Sequence, residues 1–96
     1  MKLDDLWIGE MVSREIGGQR VMIVRLEDTV CAYVDRCAHL GVPISEGKLE
    51  GEVVTCRAHH YQYDVRTGAG VNPKSVRLIP VPVCVRDGRI LVGGEA

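Results

Sequence analysis

The chain has 96 residues, of which 46% are hydrophobic, and its 12 Lys+Arg against 13 Asp+Glu leave a formal net charge of -1. That length allows one domain, residues 1–96, whose core is marginal unless something staples it. The balanced charge offers no basic field for phosphates, and with Phe absent and only Trp7, Tyr33, Tyr61 and Tyr63 aromatic there is no base-stacking platform, so no nucleic-acid partner is expected.

In chain order, "MKLDDLWIGE" carries acids where a signal peptide needs a cationic start and an apolar run. No later stretch approaches the roughly 18 apolar residues of a membrane span, so a soluble, cytoplasmic chain is expected. In that compartment cysteines serve as ligands or reactive groups more often than as disulfides. "LWIGEMVSREI" reads as a first strand, closed by the turn signal Gly17-Gly18. "RVMIVRLED" and "TVCAYVDR" follow as short β-branched runs bounded by Asp, and "LEGEVVTC" reads as a fourth. "LIPVPVCVRDGRILV" reads as two strands joined at Asp87-Gly88, with Val81, Val83 and Val85 on one face and Pro80 and Pro82 marking an edge or bulge. No window has a helical period, and the pattern is all-β, a small antiparallel barrel or sandwich.

Two segments break the strand pattern, "CAHLGVPISEG" at 37–47 and "CRAHHYQYDVRTGAGVNP" at 56–73, and they contain every histidine of the chain. Each opens with a cysteine at a strand end. Cys37-x-His39 and Cys56-x-x-His59 allow two fingers to close on one site, each giving a thiolate and an imidazole. Spacing alone leaves two occupants open: a structural zinc in a closed tetrahedron, or a 2Fe-2S cluster with two cysteines on one iron and two histidines on the other.

The surrounding residues are more specific. "CAHLGVPISEG", then "GEVVTCRAH" and "YDVRTG", resemble the Rieske ferredoxin family, whose pattern is a C-x-H-L-G loop, a short strand, a C-x-x-H loop and an aromatic-Asp, Thr-Gly turn. The resemblance covers almost the whole chain, with residues 37–68 the specific part. "LWIGEM" and Asn72-Pro73 look like the ferredoxins of toluene monooxygenase systems, and the "CRAH" box differs from the C-P-x-H-G of many ring-hydroxylating dioxygenase ferredoxins.

The resemblance implies a small Rieske-type barrel with two cluster-binding loops at one tip and one 2Fe-2S cluster. Cys37 and Cys56 would hold one iron, and His39 and His59 the other. His60, where many family members have Gly, is expected at the rim as a non-ligand. Two ferric ions, two sulfides, two thiolates and neutral imidazoles sum to zero charge, whereas an all-cysteine set starts at minus two. The electron is therefore taken up more readily, in line with potentials of about −150 to +300 mV for Rieske centres against about −400 mV for plant-type ferredoxins. The family's bridging cysteines of the cytochrome bc branch are replaced here by Val42 and Ala58. Cys31 and Cys84 match no ligand position and read as structural or surface thiols rather than a regulatory disulfide. Gly41, Gly47 and Gly68 read as tight turns beside the cluster, and Pro43 and Pro73 as loop-shaping residues. Tyr63 stands where high-potential relatives place a tyrosine that donates to a ligand sulfur.

The function implied is one-electron transfer rather than catalysis. The expected partners are an NADH-dependent flavoprotein reductase and the hydroxylase of a di-iron aromatic or hydrocarbon monooxygenase. A monomer is expected to dock transiently on both through the histidine tip, with Leu40, Val42, Pro43 and His60 as its apolar part and Glu46, Lys48 and Arg57 as a polar rim. The alternatives are a ferredoxin of a Rieske ring-hydroxylating dioxygenase, a structural zinc module, and a non-redox regulatory subunit. The last of these would normally lack some of the four ligands.

Overall fold

A computed structural model describes residues 2–37, 42–57 and 60–92. Nine strands run through them, and the only helical elements described are two single 3-10 turns, Leu3–Asp5 and Ile44–Glu46. β1 (Met11–Ile16), β2 (Gln19–Arg25) and β3 (Val30–Val34) form one antiparallel sheet in sequential order. β4 (Lys48–Glu50), β5 (Val53–Thr55), β6 (Gln62–Asp64) and β7 (Gly70–Asn72) form a second, and β8 (Val83–Arg86) and β9 (Arg89–Val92) a hairpin.

Strand alternation explains how so short a chain builds its core. In β2, Met22 and Val24 point to one face and Val21 and Ile23 to the other, and all four are buried. The two faces enter separate apolar clusters. Met22, Val24, Tyr33, Ile44, Val54, Tyr63, Val65 and Leu78 form one with both loop cysteines. Leu6, Val21, Ile23, Ala32, Ile90 and Val92 form the other. Each fully buried side chain of this size contributes roughly 1.5–3 kcal/mol relative to exposure. The Tyr33 hydroxyl donates to the Val65 carbonyl at 2.8 Å, tying the first sheet to the segment after β6, and burial pushes its phenol up to about 12.

Three expectations need adjustment. The first strand begins at Met11, because the Glu10 carboxylate accepts from the Trp7 N–H at 2.9 Å and folds residues 7–10 into a turn. "LEGEVVTC" is a hairpin rather than one strand, since Gly51 adopts φ +62, a left-handed conformation that costs other residues about 1 kcal/mol or more. Pro80 pairs with Tyr33 of β3 as an isolated bridge. Ile79 accepts from Val34 N and Val81 donates to Ala32 O, so Pro80 occupies the position that needs no N–H, and β8 starts only at Val83. Of the three valines placed on one face, Val81 and Val83 pack on the second cluster, whereas Val85 is 46% exposed near the hairpin tip. The Asn72-Pro73 bond is cis.

Candidate metal centre

Cys37 follows the end of β3 and Cys56 the end of β5. Each backbone N–H donates to the carbonyl five residues on, Cys37 to Val42 at 2.7 Å and Cys56 to Tyr61 at 2.7 Å. The two loops thus share one closure. Both cysteines are buried in the same apolar cluster. Thiolates are soft donors that suit zinc or iron–sulfur clusters, so a buried pair on two like loops fits such a group. Beneath them the Tyr63 hydroxyl lies 3.4 Å from the Cys37 sulfur. A metal-bound thiolate has no proton to give, so with Cys37 ligated the hydroxyl is the donor.

The flanks of the loops differ. The Cys56 loop rises from a ladder in which Thr55 faces Gln62. Among the described residues the Cys37 loop has no such ladder, and β3 is followed by the 3-10 turn at Ile44–Glu46. Its ends are joined through Asp35, whose side chain is sealed from solvent. Ser45 donates to it twice, from its N–H at 2.8 Å and its hydroxyl at 2.6 Å, and Ser13 donates from β1 at 2.7 Å. Sequence reasoning missed this carboxylate, and its one local signal is an acid at the end of an apolar strand. The two loop bases meet at Gly47, where a β-carbon would overlap the Thr55 carbonyl oxygen.

The outer surface is polar. Arg57 donates to Glu46 at 2.8 Å across the two loops, an exposed pair of the kind that contributes at most about 1 kcal/mol. A cavity of about 390 Å³ opens between Glu46, Lys48, Thr55, Cys56, Arg57 and His60. His60 is exposed and has φ +55, the left-handed region that favours glycine. Val42 and Pro43, expected at an apolar tip, are half-buried, with Val42 packed on the core.

His39, Leu40, Gly41, Ala58 and His59 lie outside the described residues. Among the described residues no three His, Cys, Asp or Glu side chains gather as a metal site, so the cysteine half is what the geometry gives. Cys31 is half-buried, and its thiol faces the Arg66 carbonyl at 3.9 Å. Burial pushes that thiol up, which disfavours the reactive thiolate. Cys84 is half-buried opposite Leu91.

The family described as the Rieske 2Fe-2S domain matches residues 1–84. The chain belongs to that family. Its cofactor is one 2Fe-2S cluster of the Rieske type. The ferredoxin component of the alkene monooxygenase system of Xanthobacter autotrophicus is 42% identical over 97% of this chain and 77% of its own length. Among solved structures, the ferredoxin of carbazole 1,9a-dioxygenase from Nocardioides aromaticivorans superposes with a TM-score of 0.88 at 31% identity, covering 99% of this chain and 94% of that one. A complex of reduced oxygenase and oxidized ferredoxin in carbazole 1,9a-dioxygenase contains a chain matching at a TM-score of 0.86 and 30% identity, over 98% of this chain and 89% of that one. These relatives are named as ferredoxins, or ferredoxin components, of oxygenase systems. No helix among the described residues is long and apolar enough to cross a membrane.

Proposed function

We propose that this Rieske ferredoxin carries single electrons from an NADH-dependent flavoprotein reductase to the hydroxylase of a hydrocarbon monooxygenase. The observation that carries it is the pair of buried cysteines on two identically closed loops, in a chain 42% identical to an alkene monooxygenase ferredoxin. In this reading Cys37 and Cys56 hold one iron and His39 and His59 the other.

When bound, the cluster supplies reversible one-electron transfer. The chain's own residues set the conditions for it. Burial of Cys37 and Cys56 keeps water from the sulfurs, and Tyr63 donates a hydrogen bond to Cys37. A donor there stabilises the more negative, reduced form and raises the potential. Around the loops, His60, Arg57, Glu46 and Lys48 offer an exposed polar surface for docking. A carrier that must leave two partners in turn needs contacts at the low end of interface size.

Purified protein tests the reading. Red-brown colour with two irons and two sulfides per chain is expected, and a colourless, zinc-loaded native protein overturns it. The second reading, a dioxygenase ferredoxin, draws on the likeness to the carbazole dioxygenase carrier. Reconstitution decides between them: faster turnover with a di-iron hydroxylase supports the monooxygenase, and faster turnover with a Rieske oxygenase supports the alternative.

A further inference from the structure

The two cysteine loops close with the same backbone hydrogen bond but stand on unlike supports. Under Cys56 the support is a strand ladder, with Thr55 opposite Gln62. Under Cys37 the described residues show, in place of a ladder, a side chain that bridges the two ends of the loop. Asp35 lies two residues before Cys37 and receives two hydrogen bonds from Ser45, on the far side of the loop. Its Oδ2 also accepts from Ser13 on β1, and the Ser13 hydroxyl in turn accepts from Arg20 Nε at 3.2 Å. Arg20 Nε is 4.0 Å from the carboxylate, and the Asp35 N–H donates to the Arg20 carbonyl at 3.0 Å. A buried carboxylate with several donors is costly to leave half-satisfied, so the donors are held in place as firmly as the acid.

We propose that Asp35 is the positioning residue of the first cluster loop. It clamps the base of the Cys37 loop to β1 and β2, as the β5–β6 ladder clamps the Cys56 loop, and holds a carboxylate two residues before that cysteine. This rests on Cys37 being a ligand. The charge opposes reduction, because the reduced cluster carries one more negative charge. The Tyr63 hydrogen bond acts in the other direction.

The test compares holoproteins: the native chain, Asp35→Asn, Ser45→Ala, Ser45→Thr and, as a control, Asp28→Asn, which breaks an exposed ion pair with Arg66 that has no part in the Asp35 network. Cluster loss in excess EDTA is followed by visible absorbance, the fold by circular dichroism, and the potential by voltammetry. Asp35→Asn and Ser45→Ala lose the cluster at least about tenfold faster, the scale of a charged hydrogen bond, whereas Ser45→Thr and Asp28→Asn stay within about twofold of the native chain. Asp35→Asn also raises the reduction equilibrium constant about threefold, roughly 30 mV for one electron, and Ser45→Ala, which keeps the charge, shifts it less. Cluster loss in Asp35→Asn and Ser45→Ala no faster than in Asp28→Asn, or an unmoved potential in Asp35→Asn, overturns the proposal. If Asp35→Asn fails to fold, the contrast between Ser45→Ala and Ser45→Thr decides. A native chain that binds no iron overturns the ligand reading itself, an outcome distinct from equal behaviour among loaded variants.

Discussion

The Tyr63 hydroxyl lies 3.4 Å from the Cys37 sulfur, with both side chains sealed in the core. Tyr63 sits on β6 opposite Val54, so the second sheet delivers a donor to the loop that follows the first. Tyr63→Phe keeps the shape and removes the donor. The cluster is expected to assemble in this variant. If the bond is about 1 kcal/mol stronger to the reduced form, the potential falls by roughly 40 mV. Side-by-side voltammetry checks this, and an unchanged or raised value removes Tyr63 from tuning.

His60 holds φ +55 with an exposed side chain. A β-carbon in that region costs roughly 1 kcal/mol, part of which glycine returns through its freer unfolded state. His60→Gly is expected to raise stability by at most about 0.5 kcal/mol and leave iron content intact. His59→Ala is expected to lose the cluster. Iron analysis and melting of the two proteins check both halves, and equal iron loss reverses the choice between the neighbours.

Gly47 packs against the Thr55 carbonyl, one residue before Cys56. The clash for Gly47→Ala is with backbone, which cannot rotate away. Overpacking of this kind costs about 1–3 kcal/mol. A lower melting temperature and incomplete cluster loading are expected, and native-like values for both would show that the two loop bases can part without consequence.

Arg66 joins the β2–β3 turn to the β4–β5 turn, with Asp28 at 3.1 Å and Glu52 at 2.6 Å. Hydrogen bonds from its guanidinium hold both carboxyls below their ordinary values of 3.8 and 4.5. A lowered folded-state value stabilises the fold above the unfolded value and ceases to do so as pH falls through the folded one. The melting difference between the native chain and Arg66→Gln is therefore expected at neutral pH and to shrink below about pH 4. Because the pair is exposed, added salt shrinks it too. A difference that is constant across pH and salt assigns Arg66 to packing instead.

The sequence determined by itself what depends on neighbours along the chain. Alternating β-branched runs bounded by Gly and Asp placed the strands, and the two Cys/His boxes marked the loops, because pleat period and ligand spacing are local properties. The family resemblance carried in "CAHLGVPISEG" and "CRAHHYQYD" agrees with the match over residues 1–84. The tertiary structure decided what depends on residues far apart. Asp35 meets Ser13 across 22 positions and Arg66 meets Asp28 across 38. Neither pairing has a periodic or spacing signal, since polar residues at strand ends and in turns look alike until the sheets pack. The same holds for Val42, which reads as an apolar tip and packs inward. It holds also for Gly47, whose lack of a side chain matters only once Thr55 lies against it.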